Sequence, residues 1–247
     1  METDLIIVDE MSMVDVPLMH ALLRAVSPST RLLMVGDSDQ LPPVGAGNVL
    51  RDIIESDAVP VMRLTDIFRQ AERGMIVENA HRINNGQLPE LFSGAEDFMF
   101  EEIPAAEDVA RRVVGLCTGR VNRLLTRELY RDVQVLVPMK KGPLGVHALN
   151  GRIQAAMNPP SRQKKERKHG EITFREGDKV MQTKNNYKLA WKKSRYNGMA
   201  EEGIGVFNGD LGTILRIDNV EQELEVLFDD ERAAVYDFTM LDELSLA

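Results

Sequence analysis

The chain has 247 residues, 43% of them hydrophobic, with a net charge of −9 and a single cysteine. There is room for one large domain or two to three small ones, and enough apolar residue for an ordinary core. The acidic balance argues against a general nucleic-acid binder, while one thiol excludes an internal disulfide framework and fits a reducing compartment, the cytoplasm. No apolar run approaches the roughly 18 residues of a membrane span, and no basic start leads into an apolar stretch and cleavage site, so neither a membrane nor a secretory route is expected.

The first third alternates between strand and helix patterns. "DLIIVDE" is a short continuous apolar run, the mark of a parallel strand buried on both faces. "VPLMHALLRAV" has helical spacing, with Asp15 as N-cap and Pro17 in the first turn. "RLLMVGD" predicts a second buried strand ending at Gly36-Asp37, and "NVLRDIIES" another amphipathic helix. "VPVMRL" predicts a third strand, and "GMIVENAHRINNG" a helix terminated by Gly86. Such alternation implies a doubly wound sheet, whose ligands gather at the carboxyl ends of the strands.

Farther along, "AAEDVARRVVGLCT" reads as a helix in which Cys117 is a buried bystander. "DVQVLVPMKKG" reads as a strand entering a turn, and "GVHALNGRIQAAM" as a helix stopped by Asn158-Pro159-Pro160. "RQKKERKHG" is expected to be a polar connector. From Ile172 onward, short β runs alternate with Gly-Asp turns and predict a small antiparallel barrel of about 70 residues. Charge is uneven: twelve Lys or Arg against four acids between Arg162 and Arg195, then ten acids against Arg232 between Asp218 and Glu243.

The chemistry-bearing residues cluster where the strands should end. Asp9 at a strand end suits magnesium, usually through water, and Glu10 beside it suits orienting or deprotonating an attacking water. Asp37 and Gln40 follow the next strand, and a glutamine there can bond a terminal phosphate or its attacking water. Pro42, Pro43, Gly45 and Gly47 make a stiff turn that another chain can approach closely. Arg69, in "LTDIFRQ", can reach a γ-phosphate across a cleft, or be a surface residue.

These segments recur together. "IIVDEMSM", "GDSDQLPPVGAGNVLRDII", "LTDIFRQ", "IVENAHRIN", "VLVPMKKGPLGVHALN" and "FREGDKVMQTKNNY…VFNGDLGTI" stand in this order, and the whole resembles the RecD/TraA family of DNA helicases, which includes the α-subunit of exodeoxyribonuclease V. The resemblance runs from Leu5 to about Ala247 and leaves 91–131 without a distinctive match. It implies α/β architecture: partial RecA-like lobes of a P-loop NTPase with parallel sheets, plus a small SH3-like β-barrel. It divides the chain into the end of a first lobe (1–60), part of a second lobe (61–168) and a barrel insertion (169–243). It implies ATP and magnesium as cofactors, 5′→3′ movement on single-stranded DNA, and as partners the DNA and other subunits of an exodeoxyribonuclease V-type complex. By motif, Asp9 is the magnesium aspartate, Glu10 the catalytic glutamate, Gln40 the residue coupling γ-phosphate to DNA, and Arg69 the arginine from the second lobe. Asp37 and Gln70 fall to the nucleotide. Leu41, Pro42, Pro43, Val44, Lys140, Lys141, Asn185, Asn186 and Tyr187 fall to the DNA.

The phosphate-cradling pattern GxxxxGK[ST] that such enzymes need occurs nowhere in the 247 residues. The expectation is therefore a piece of a longer gene product that has no meaningful ATPase alone and self-associates through an exposed sheet edge. Two rival readings remain. In one, the barrel and its basic segment bind single strands or a partner, with Tyr187, Trp191 and Tyr196 either stacking bases or covering the barrel's own core. In the other, Asp9, Glu10, Asp37 and Asp39 bind metal directly in a hydrolase. The four histidines, at 20, 81, 147 and 169, show no ligand spacing and predict no zinc site.

Overall fold

A computed structural model describes residues 3–64, 74–92, 94–119, 133–194 and 200–247. The chain divides into two compact units, Met1–Glu101 and Glu102–Ala247.

In the first unit β1 (Leu5–Val8) and β2 (Arg31–Met34) form a parallel pair in the register Leu5↔Arg31 to Val8↔Met34. The crossover contains a 3₁₀ turn (Met11–Met13) and α1 (Val16–Ala25). Asp15 caps α1 as expected, its Oδ1 accepting from the Leu18 N–H at 2.8 Å, and proline opens the first turn. After β2 the chain runs through the Pro-Pro loop into α2 (Val49–Glu55). Met11, Val14, Met19, Val49 and Leu50 are buried together, and Val8, Leu32 and Met34 pack against them. α3 (Met75–Asn84) ends at Gly86, whose φ of 71° is the left-handed turn the sequence calls for.

Two expectations fail here. β1 and β2 are covered on one face only: their side chains alternate, and Leu5, Ile7 (61% exposed), Leu33 and Val35 face water. Among the described residues nothing packs on that second face, so the apolar run reports the composition of a two-faced strand without its second cover. "VPVMRL" is not a strand. Val59–Leu64 has no regular structure, and Met62 and Leu64 are almost fully exposed. A strand needs a neighbour to satisfy its backbone, and no described residues pair with this run.

In the second unit α4 (Ala106–Thr118) packs on α5 (Val146–Met157), with Arg152 holding Glu107 through two N–H···O bonds of 2.5 and 2.8 Å. Cys117 is buried in α4, and burial pushes its thiol pKa up, away from reactivity. Val133–Val137 forms no strand, against expectation. One of its carbonyls, that of Val133, instead accepts from Lys179 Nζ at 3.0 Å. The basic connector is also more ordered than its composition suggests, because Glu166–His169 forms β3, paired antiparallel with β4 (Ile172–Arg175) around Gly170. Exposed Glu166 and Lys168 alternate with half-buried Arg167 and His169, and the Arg167 guanidinium lies over the Phe238 ring at 4.1 Å.

The rest is a seven-stranded antiparallel sheet, in the order β11-β5-β8-β9-β10-β6-β7, where β5 is Lys179–Gln182, β6 Asn186–Ser194, β7 Ala200–Val206, β8 Leu211–Asp218, β9 Glu223–Phe228, β10 Ala233–Asp237 and β11 Leu244–Leu246. Inward residues at every second position, among them Ile214, Leu224, Val226, Phe228, Ala234 and Tyr236, make one core with Phe174, Phe238 and Leu241. A buried polar cluster fastens α5 to this sheet. Asp178 accepts from Gln154 Nε2, Asn158 Nδ2 and the Arg175 N–H, each at 2.6 Å, and Arg175 Nε donates to Glu166 Oε1 at 2.6 Å. Desolvation raises the Asp178 pKa despite these donors.

Candidate functional site

The parallel pair brings the two acidic motifs to one end of the sheet. The Val35 N–H donates to Val8 O (2.8 Å), and the Met11 N–H, one residue past Glu10, donates to Val35 O (3.0 Å). The chains leaving β1 and β2 are thus tied together beyond the last register pair. Gly36 makes this possible, since a Cβ there would stand 2.9 Å from Leu50 Cδ2 and 3.0 Å from the Met11 nitrogen. Glu10 adopts a left-handed backbone, φ 53° and ψ 40°. A non-glycine residue held there costs about 1–2 kcal/mol. It persists because wholly buried Met11 and the Met11 and Met13 amide bonds pin the residue from both sides.

Asp9, Glu10, Asp37 and Gln40 are all exposed at this end. Asp9 Oδ1 accepts from the Glu10 N–H (2.9 Å), and Asp37 Oδ1 accepts from the Asp39 N–H (2.9 Å), which shapes the loop carrying Gln40. Ser12 Oγ donates to Gln40 Oε1 across a long 3.5 Å, joining the two motifs through side chains. Asn84 Nδ2 of α3 donates to Asp39 Oδ2 (2.8 Å) and holds the same loop from the other side. Sequence reasoning passed over Ser12 and Asn84; the position of Ser12, two residues after the acidic pair, was the available signal.

The donor set bears on magnesium. Among the described residues no three His, Cys, Asp or Glu side chains, Asp9, Glu10, Asp37 and Asp39 included, are grouped as they would be to hold a metal directly. One strand-end carboxylate fits magnesium of the kind held by one or two carboxylates, waters and substrate phosphates.

The Pro-Pro loop projects from this end. Leu41 and Val44 are nearly or fully exposed, Pro42 is exposed and Pro43 half-buried. Its base is anchored on α1, with the Val16 N–H donating to Ala46 O (3.0 Å) and Gly45 lying so close to the Asp15 carboxylate that no side chain fits. Arg69 and Gln70 lie outside the described residues, as does Tyr196.

The second unit carries the other expected positions. Lys140 and Lys141 are exposed in the turn that opens α5, where the Val146 N–H donates to Met139 O (3.1 Å) and Gly145 fits under the Lys140 and Lys141 backbone. Tyr187 is 66% exposed and meets Phe207 edge-on at 5.6 Å between centroids. Asn185 Oδ1 accepts from the Asn208 N–H (2.9 Å) beside this pair. Asn186 is engaged within the protein at both ends of its amide, donating to Glu243 Oε2 and accepting from the Leu189 N–H. Trp191 is half-buried against the barrel core, and Lys192 pairs with Glu202 at 2.9 Å. Phe207, inside a quoted motif, was not singled out from sequence.

Fold and site together define a RecA-like α/β element joined to an SH3-like domain, and comparison with known proteins agrees. The family described as "ATP-dependent RecD-like DNA helicase SH3 domain" matches residues 149–228, and an AAA domain matches residues 1–99. The chain is 40% identical over 228 residues to the ATP-dependent RecD2 DNA helicase of Deinococcus radiodurans, covering 92% of this chain and 27% of that protein. It is 31% identical over 229 residues to the RecBCD enzyme subunit RecD of Mycobacterium tuberculosis, covering 86% of this chain and 36% of that protein. A crystal structure of Pif1 helicase from Bacteroides in complex with ADP-AlF3 and ssDNA superposes with a TM-score of 0.50 at 17% identity, over 96% of this chain and 53% of that one. The last comparison speaks to fold alone. The chain is thus similar to RecD-like helicases over most of its own length, and it spans about a third or less of the length of these curated relatives.

Proposed function

We propose that the chain is the part of an ATP-dependent DNA helicase that carries the hydrolytic carboxylates and the elements next to them, acting 5′→3′ on single-stranded DNA in recombination and repair. The observation that carries this reading is that the loops bearing Asp9, Glu10, Asp37 and Gln40 leave the same end of a parallel strand pair and are joined by the Ser12–Gln40 bond. Asp9 would hold magnesium together with the nucleotide's phosphates. Glu10 would orient and deprotonate the attacking water, and Gln40 would report the state of the γ-phosphate to the adjoining Leu41–Val44 loop, which we assign to the DNA. When bound, ATP supplies the phosphoryl group and magnesium its charge neutralisation; everything the residues here do is positioning and proton transfer. Arg69 and Gln70 complete the proposed site from the residues beyond those described. Other subunits of an exodeoxyribonuclease V-type complex are the proposed protein partners, and the three-part division at residues 60 and 168 the proposed organisation.

A second reading has its own observation. The exposed Tyr187–Phe207 pair, flanked by Asn185 and by Lys184 and Lys188, suits base stacking, and in this reading the SH3-like domain is a binding module for single strands without catalysis of its own.

ATP hydrolysis with and without single-stranded DNA, measured on this chain and on a longer product of the same gene, separates the two. The motor reading expects DNA-stimulated turnover in the long form, none in the 247 residues, and loss of about 10²-fold or more with Glu10→Gln. Turnover in the long form that survives Glu10→Gln would remove it.

A further inference from the structure

Among the described residues α3 contributes nothing to the apolar core around β1 and β2; polar side chains hold it instead. Asn79, 2% exposed, spends its whole amide on one residue downstream. Its Nδ2 donates to Glu90 O (2.9 Å) and its Oδ1 accepts from the Glu90 N–H (2.6 Å), the two bonds a paired strand residue would exchange. Arg82 Nε, three residues on and on the same face, donates to Leu88 O (2.8 Å). Asp97 reaches back to the start of the helix, where its Oδ2 accepts from the Ile76 N–H (3.2 Å). The N-cap, Gly74, has no side chain to do this, and a Cβ there would stand 2.3 Å from the same carboxylate oxygen. Residues 87–97 thus double back along α3 and clamp it near both ends.

A second contact leaves the helix on its other side. Asn84 lies five residues beyond Asn79, about 140° around the helix. Its Nδ2 donates to Asp39 Oδ2 (2.8 Å), in the turn that carries Gln40. That turn is closed on itself, with Asp37 Oδ1 accepting from the Asp39 N–H (2.9 Å) and Asp37 O from the Gln40 N–H (3.3 Å). Arg51, whose charge also reaches Asp39, is engaged by Glu55 at 2.8 Å. Among the described residues Asn84 is the one side chain hydrogen-bonded to the Asp39 carboxylate, so the turn either follows α3 or breaks this bond.

We propose that Asn84 is a positioning residue for Gln40: clamped α3 is the fixed post that holds the turn, and DNA stimulation of hydrolysis depends on the Asn84–Asp39 bond. This rests on the motor reading, in which Gln40 passes the state of the γ-phosphate to the Leu41–Val44 loop. A turn that signals must shift as one piece against something that stays still, and the bonds to Glu90, Leu88 and Asp97 keep α3 still. Asn84 acts through Asp39 alone.

The test breaks the bond and then rebuilds it. DNA-stimulated ATP hydrolysis would be measured on the longer product of the same gene, as wild type and with substitutions at the two positions. Asn84→Asp sets one carboxylate against another and is expected to lower the stimulated kcat about tenfold, with the KM for ATP within about twofold. Asp39→Asn keeps an oxygen that accepts from Asn84 and is expected to stay within about twofold of wild type. Asp39→Asn combined with Asn84→Asp restores donor and acceptor with their roles reversed and is expected to recover most of the lost rate. An aspartate that merely weakens the end of α3 would do so in the combination too, so absence of rescue overturns the inference. Asn84→Ala, which removes the donor without adding charge, is expected to lower the stimulated kcat about fivefold and decides the matter if Asn84→Asp does not fold. Full stimulation with either substitution at Asn84 overturns the inference. Wild-type turnover that is lost with Glu10→Gln secures the motor reading separately, so such a failure falls on Asn84 alone; a long form without turnover removes both.

Discussion

Around β1 and β2, five buried hydrophobic residues hold one face of a two-stranded sheet while the other face stays wet; in the C-terminal sheet, fourteen buried hydrophobic residues close into one core. The two regions place charge differently as a result. In the first, Asp9, Glu10, Asp37 and Gln40 ride on exposed loops and are positioned by backbone ties such as Met11 N–H to Val35 O. In the second, Asp178, Arg175 and Asn158 are buried and positioned by one another. The site as proposed, which would have to admit a phosphate and water, needs the first arrangement. A junction that must keep a helix fixed to a sheet needs the second.

The largest expected effect tests the cores themselves. Phe228→Ala, at a residue 1% exposed, should cost about 3–5 kcal/mol. Leu33→Ala, on the wet face of β2, should stay within about 0.5 kcal/mol. Urea unfolding followed by circular dichroism measures both, and equal costs would erase the distinction between the regions.

The buried polar cluster comes next. Asp178→Ala strips an acceptor from Gln154, Asn158 and the Arg175 amide and should cost about 1–3 kcal/mol. Its pH dependence has a definite sign. The folded pKa of Asp178 is raised by desolvation, so the folded state binds its proton more tightly than the unfolded state does. That contribution is fully present below the ordinary carboxylate pKa and is lost as pH rises through the raised value. The cost of Asp178→Ala should therefore grow as pH is lowered from neutral. Unfolding midpoints of the wild type and variant at several pH values check this, and a cost that shrinks toward acid would reverse the assignment.

The smallest effect sharpens the first region. Asp15→Ala removes the α1 cap and the carboxylate that Gly45 packs against, and should cost about 1 kcal/mol. Because the same carboxylate seats the base of the Leu41–Val44 loop, hydrogen exchange should speed up at the Val16 and Leu18 amides together. Faster exchange at Leu18 alone would separate the cap from the loop.

Where local rules suffice, the sequence was readable. The Asp15 cap, the Gly86 terminator, the Pro159-Pro160 stop and the turn glycines act within a few residues, and each stands where expected. The misread segments are those whose state depends on distant neighbours. "VPVMRL" and "DVQVLV" have strand composition, but no described strand lies beside them; "ERKH" lacks that composition yet is recruited by β4.

The candidate site divides along the same line. Residue identity and order determined, without any coordinates, that an Asp-Glu pair and a Gly-Asp-x-x-Gln motif each close an apolar run, because strand periodicity is written in adjacent residues. Only the tertiary structure decided that Ser12 meets Gln40, that Asn84 holds Asp39, and that Asp97 reaches the first turn of α3. Those facts link residues far apart in the chain. Hydrogen bonds and ring contacts act over a few ångströms of space, and only folding sets which distant residues come within that reach.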